Sequence, residues 1–341
     1  MALAQKQPTM KEIAMKLNIA VSTVSRALRD HQSIGLGTKI KVRRLAEEWK
    51  YECNERAIYF KKGKSFTIGA ILPDLSEPFF AAAMTGIEDA ADRNGYAVIV
   101  GQSHNMADRE KQIAETMKNH QIDGLVVSLS KNSSTYEHFD SLKSRNIPVV
   151  FFDRVPEQPN NHYIACNMES ATMKVIDFLV EKNHRIIGMI NGPENLSATG
   201  ERAEGYRKAM ENNKLPFEQG LIVTTDLTAE GTRRAMDRLL SQPLRPTGII
   251  AFNDYVAGDA MDYARSRKLR INKDICFVGF SNLPVSSYWV NPPIASVEQF
   301  PYLQGQKAIE TLLYILDEGS KGVNDDTSYR IILESHLVVH K

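Results

Sequence analysis

The stretch Val21–Asp30, VSTVSRALRD, has a helical period, yet it carries hydroxyls and arginines where a packed core helix carries apolar residues. At about 3.6 residues per turn, Val24, Ala27 and Leu28 fall on one stripe, and Val21, Ser22, Ser25, Arg26 and Arg29 on another. One stripe packs, and the other faces something polar. Upstream, TMKEIAMKLNIA supplies a companion helix. Thr9 and Glu12 have the spacing of a capping box, so this helix starts at Met10 and buries Ile13, Ala14 and Leu17. Asn18 tolerates the left-handed backbone that a tight turn needs, and ends it. When the apolar stripes of two such helices meet, the opposite stripe of the second is left free, as in a helix-turn-helix that enters a DNA major groove. There Arg26 reaches guanine O6 and N7, Val21 touches a thymine methyl, and Ser22, Thr23 and Ser25 bond phosphates or base edges. An αα-hairpin with a polar outer face is the plain alternative.

The charge of the whole chain supports the first reading. The 341 residues carry a formal net charge of only +1, but residues 1–64 hold 14 Lys+Arg against 6 Asp+Glu, and the remainder 28 against 35. A basic head on an acidic body suits a polyanion-binding module joined to a separate sensor or enzyme. The length implies several lobes. No apolar run approaches the roughly 20 residues of a bilayer span. The N-terminus lacks a secretory signal, and three cysteines (Cys53, Cys166, Cys276) give no disulfide framework, so a cytoplasmic protein is expected.

The order TxxxIAxxLxxxxSTVSRAL, then TKIKVRRLAEEWKY, NERAIYFKKGKS and IGAILPDLSEPFF, closely resembles the LacI/GalR family of bacterial transcription regulators over nearly the whole chain. The resemblance implies a third helix packed on the first two through Ile40, Val42, Leu45, Ala46 and Trp49. It also implies a hinge helix from Asn54, too short to be stable alone, that pairs with its copy in the DNA minor groove. Ala57 matches the hinge's small position, and Phe60 stands at the wedge position in place of the usual leucine. Ala20 and Gly35 replace the serines that commonly precede the second and third helices. The implied domains are a head (1–53), a hinge and linker (54–64), and an effector-binding and dimerisation body (65–341).

From Thr67 onward, apolar runs alternate with helical periods: TIGAIL, AVIV, GLVVSL and VVFF, then IIGMI, LIVTT, GIIAF and ICFVGF. This is a βαβ rhythm, repeated, and predicts two doubly wound parallel-sheet lobes in an α/β chain. The family resemblance implies the type I periplasmic-binding fold, with three crossings between lobes. We place one lobe at about 65–160 and 293–325, and the other at about 161–292 and 326–341.

Ligands in such sheets bind beyond the carboxyl ends of the strands. Phe79 and Phe80 follow the first run, Asp153 and Arg154 follow VVFF, Asn253 and Asp254 follow IIAF, and Gln299 follows IASV. Aromatic faces with paired charged or amide groups suit a sugar. The set is similar, position by position, to that of ribose-binding protein and its repressor relatives. Through that resemblance Arg202, in GERAEGY, is the ligand-binding arginine, and Glu77, Leu227 and Ser281 complete the candidate site. Ser281, Leu227 and Cys166 stand where the family often carries an aspartate, an aromatic and an aspartate, which leaves a nucleobase or a phosphorylated metabolite as alternative effectors. Leu196 and Ala198 count against a purine. An interlobe salt bridge is the plain alternative for Asp153, Arg154 and Arg202 taken singly.

No GxGxxG follows the first strand, no GxSxG is present, and the histidines and cysteines show no metal spacing. Neither catalysis nor a cofactor is expected. The chain ends at HLVVHK without a leucine-heptad tail, so the expected state is a homodimer on a pseudo-palindromic double-stranded operator.

Overall fold

The computed structural model describes residues 8–51, 64–133, 135–156, 160–320 and 328–340. The hinge positions Asn54, Ala57 and Phe60 lie outside the described residues. The chain divides into two compact units, Met1–Ser65 and Phe66–Lys341.

The first unit holds α1 (Met10–Leu17), α2 (Val21–Leu28) and α3 (Leu36–Glu48). The Thr9 hydroxyl accepts from Glu12 N at 3.3 Å and the Glu12 carboxylate accepts from Thr9 N at 2.8 Å, closing the capping box. Asn18 ends α1 at φ 49°. Neither Ala20 nor Gly35 gives its helix a side-chain cap. Ile13, Ala14, Val24, Ala27, Val42, Leu45 and Ala46 form the buried core, with Leu17, Leu28 and Trp49 packed against it. Ile40 departs from expectation, being 57% exposed. Residues 42, 45, 46 and 49 share one face of α3 at helical spacing, and Ile40 falls almost opposite Val42.

The second unit is built on two six-stranded sheets. In the first lobe, β1 (Thr67–Leu72), β2 (Ala97–Gln102), β3 (Gly124–Val127), β4 (Val149–Phe152) and β5 (His162–Cys166) alternate with α4 (Pro78–Arg93), α5 (Ala107–Asn119) and the short α6 (Asp140–Lys143). In the second lobe, β6 (Ile187–Asn191), β7 (Ile222–Thr224), β8 (Gly248–Ala251), β9 (Cys276–Phe280) and β10 (Ala295–Glu298) accompany α7 (Met168–Glu181), α8 (Ser197–Asn212), α9 (Ala229–Leu240) and α10 (Asp254–Ser266). The chain then returns through α11 (Pro301–Ser320) and β11 (Arg330–Leu333) to the first lobe, and through β12 (His336–Val339) to the second.

The sheets run β2-β1-β3-β4-β5-β11 and β7-β6-β8-β9-β10-β12, every pairing parallel except β10 with β12. Apolar runs such as GLVV and VVFF are buried on both faces, as helices on both sides of a parallel sheet require. The lobe boundaries differ from those expected at three strands. β5 pairs with β4 and β11 with β5, so both belong to the first lobe, and β10 pairs with β9 in the second. Each crossing comes after its strand, near Asn167, Phe300 and Ser335. Which sheet a short strand joins is decided by backbone pairing across the fold, which periodicity does not report.

Candidate functional site

On the head, α2 exposes Val21, Ser22, Arg26 and Arg29 and leaves Thr23 and Ser25 half-buried. Among the described residues Arg26 and Arg29 have no ion-pair partner. Lys39 and Arg43 of α3 are committed instead, at 3.1 and 2.8 Å from the carboxylate of Asp30. That carboxyl is held below its ordinary range chiefly by the Lys39 hydrogen bond. Asp30 thus ties the end of α2 to α3 and leaves Arg26 and Arg29 exposed. Thr9, exposed, is spent on its cap.

In the body, the strand ends of the two lobes enclose a cavity of about 270 Å³. Glu77, Phe79, Phe80, Asp153, Arg154, Arg202, Leu227, Asn253, Ser281 and Gln299 all line it. Asp153, Leu227 and Ser281 follow β4, β7 and β9 with φ of 57°, 68° and 85°, a left-handed conformation that costs non-glycine residues energy. Such backbone persists where surrounding structure enforces it, and here it turns three strand exits from the two lobes toward one space.

Arg202 is 4% exposed. Its guanidinium carbon lies 4.2 Å from the Phe252 ring centroid and 4.3 Å from that of Phe280. Nη2 donates weakly to Met168 Sδ at 3.5 Å, while Nε and Nη1 have no hydrogen-bond partner. Desolvation pulls the Arg202 pKa down to about 10, and Asp153 and Glu201 resist that fall. The same desolvation pushes Asp153 up to about 6 against the attraction of Arg154 and Arg202. Glu77 is also raised, mainly by burial. Arg154 donates to Asn105 Oδ1 at 2.6 Å and lies over Phe80 at 5.2 Å. The Phe80 face is thereby occupied, and Phe79 stands edge-on to it with centroids 5.2 Å apart.

Gln299 links the floor: its Oε1 accepts from Ser281 Oγ at 3.3 Å, and its backbone oxygen accepts from Cys166 Sγ at 3.0 Å and Gln304 Nε2 at 2.8 Å. Burial pushes the Cys166 thiol up to about 12, which makes it a hydrogen-bond donor rather than a nucleophile. Asn253 caps α10 by accepting from Val256 N at 2.9 Å and still lines the cavity. Asp254 does not line it. Its carboxylate is fully buried and accepts from Leu283 N at 2.6 Å and Ser296 Oγ at 2.7 Å, which fixes the loop after β9.

Sequence reasoning missed Ser130, Ser133, Met168, Asn195, Phe252 and Tyr255 among the lining residues. Ser130 follows GLVVSL directly, so the strand-end rule reaches it. Met168 and Asn195 come to the cavity only through the crossing and the β6–α8 connection. Buried Glu110 shapes the serine loop from behind, accepting from Ser130 N at 2.6 Å and Ser133 Oγ at 2.8 Å. Among the described residues no cluster of His, Cys, Asp and Glu could hold a metal, and no helix is long and apolar enough to cross a membrane.

Residues 9–54 match the family of bacterial regulatory proteins of the lacI type, and residues 68–321 match the periplasmic binding protein domain. The chain belongs to the LacI family of bacterial regulatory proteins. It is 29% identical over 316 residues to the HTH-type transcriptional repressor CytR of Escherichia coli K12, covering 91% of each chain. The lac repressor dimer bound to operator and the anti-inducer ONPF shares its fold, with TM-score 0.81, 23% identity and 98% of each chain covered. The transcriptional regulator CelR in complex with cellobiose does so with TM-score 0.72, 22% identity and 97% and 98% covered. This LacI-family chain is a DNA-binding transcriptional regulator, and its family is one of regulators rather than enzymes.

Proposed function

We propose that this regulator is a cytoplasmic, homodimeric repressor whose hold on a pseudo-palindromic operator is set by a monosaccharide in the body cavity. Arg26 reads guanine from the exposed stripe of α2, Val21 and the α2 hydroxyls adjust register, and Arg29 meets phosphate. The hinge residues Asn54, Ala57 and Phe60 enter the minor groove.

The observation that carries the effector reading is Arg202: a desolvated cation in a cavity, with two N–H groups unpaired. Leaving buried donors unmet costs roughly 1–3 kcal/mol each, or more when charged, and a bound acceptor recovers it. Sugar hydroxyls supply acceptors to these nitrogens, and donors to Asp153 and Glu77. The cavity sets two carboxylates against two guanidiniums, which balances charge and suits a neutral polyol over a phosphorylated metabolite. Its volume lies just below the roughly 300–1,000 Å³ of drug-sized sites, which favours one sugar ring over a larger ligand. The CelR complex with cellobiose supports a sugar as the ligand class in this fold.

The test is a thermal-shift screen of the full chain with monosaccharides, sugar phosphates, nucleobases and nucleosides, followed by operator titration with each hit. A monosaccharide that raises the midpoint and weakens operator binding is expected. A sole response to nucleobases or phosphates would overturn the sugar reading.

A further inference from the structure

The way Arg202 is seated adds something that ligand binding alone does not explain. Gly192 directly follows β6, and its N–H donates to Asn191 Oδ1 at 3.0 Å. A side-chain carbon there would lie 2.3, 2.6 and 2.8 Å from three carbons of the Phe252 ring. Ordinary carbon contacts need about 3.5–4.0 Å. Bare backbone at Gly192 is therefore what admits that ring. The Arg202 guanidinium carbon lies over this ring at 4.2 Å from its centroid, and over that of Phe280, fully buried at the end of β9, at 4.3 Å.

The choice of aromatic neighbours matters chemically. A carboxylate would also fix a buried arginine, but it would consume the N–H donors in doing so. Ring faces attract the guanidinium through their quadrupole and leave its N–H edge unspent. The two unpaired donors, Nε and Nη1, are what this arrangement predicts.

We infer that Gly192 and Phe252 are positioning residues for Arg202: the absent side chain makes room for a ring that holds the guanidinium without using its donors. The inference rests on the reading of the cavity as the effector site, and it assigns Gly192 a role although it touches no ligand. Replacing Gly192 by Ala should displace the ring by more than about 1 Å and unseat the arginine. Phe252→Leu should unseat it without overfilling the site.

The test uses the full chain labelled with ¹³C and ¹⁵N in arginine. Stacking on two rings shifts Arg202 side-chain resonances upfield, and their loss in Arg202→Lys assigns them. In Gly192→Ala, and separately in Phe252→Leu, these signals should move at least halfway toward ordinary arginine positions. If Phe252→Leu, with an unchanged thermal midpoint, leaves them in place, the inference is overturned; if only Gly192→Ala leaves them, the role of Gly192 is. A second arm adds D-ribose, D-glucose and cytidine to the parent. If any one moves the Arg202 signals, its Kd should rise about 2- to 30-fold in Phe252→Leu, and an unchanged Kd overturns the positioning role. If none moves them, the effector reading of the cavity fails while the seating of Arg202 stands on the first arm.

Discussion

The head and the body recognise their ligands with surfaces assembled in opposite ways. The reading face proposed for the head is one helix of eight residues, α2, in which sequence neighbours are spatial neighbours. The body's cavity draws side chains from Glu77 to Gln299, across two lobes and two of their crossings. The difference governs how each is stabilised. Arg26 and Arg29 remain exposed, and in the proposed reading they meet an incoming polyanion. Arg202 is desolvated beforehand, with its seat provided by three different elements, Gly192, Phe252 and Phe280. Perturbation should therefore be graded on the head and severe in the body.

The largest effect is expected at Arg202. Arg202→Ala removes two charged donors, each worth about 1.5–3 kcal/mol, so effector affinity should fall about 100-fold or more. Operator affinity without effector should stay within about twofold, because the head is untouched. Equal loss of operator binding and effector response would erase the contrast between the two sites.

Asp153 gives the next effect and has a definite sign. Its folded pKa of about 6 lies above the unfolded value near 3.8, so the folded body binds the extra proton over that interval. The contribution to stability is fully present below pH 4, and is lost as pH rises to about 6. Carboxyls held low elsewhere, such as Asp274 at about 2, slope the other way, and Asp254 is raised like Asp153, so the contribution is read as the difference between the urea stabilities of parent and Asp153→Asn, in which the parent should lose roughly 1–3 kcal/mol relative to the variant over this window. Asp153→Asn should remove that relative slope while weakening the effector response. A slope unaltered by the substitution would mean that Asp153 is better solvated than the geometry indicates.

Legibility follows the same division. The capping box at Thr9, the turn at Asn18 and the two stripes of α2 were all local, and all were readable. Ile40 is apolar, but its phase relative to Val42 puts it on the exposed face of α3, which hydrophobicity alone does not report. In the body, the candidates at strand ends share one cavity because ends of parallel strands converge by rule, whereas Arg202, inside α8, was legible only through the family resemblance. Phe252 and Met168 were not read because their arrival depends on Gly192 and on a crossing. The destinations of β5, β10 and β11 were misjudged for the same reason: pairing is non-local.

On the head, Arg26→Ala should cost about 1–3 kcal/mol of discrimination for its guanine, read as the ratio of operator to non-specific affinity in competition gel shifts. Non-specific, salt-sensitive binding should persist through the remaining basic residues. An undiminished ratio would show that α2 reads shape or phosphate and not this base, and would make the head less locally specified than its sequence suggests.

The smallest effects separate two kinds of missing cap within the head itself. Ala20 and Gly35 occupy the N-cap positions of α2 and α3 with extended backbone, φ −69° and −64°, and neither offers a side-chain acceptor. Serine at an N-cap exceeds alanine by about 0.5–2 kcal/mol but exceeds glycine by only a few tenths. Thr23 N and Thr38 N already donate to the carbonyls of Ala20 and Gly35, and for the remaining first-turn N–H groups glycine leaves access to water, whereas the alanine methyl screens them without replacing the bond. Ala20→Ser should therefore slow amide exchange at Ser22 about 3- to 30-fold, and Gly35→Ser should change exchange at Gly37 less than about twofold. Both backbones already hold the conformation a capping serine needs, so no rearrangement opposes either change. Hydrogen exchange on the two variants beside the parent decides the matter. If the two substitutions protect equally, solvent access at the first turn is not what distinguishes these caps, and the head's stability is set by its core from Ile13 to Ala46.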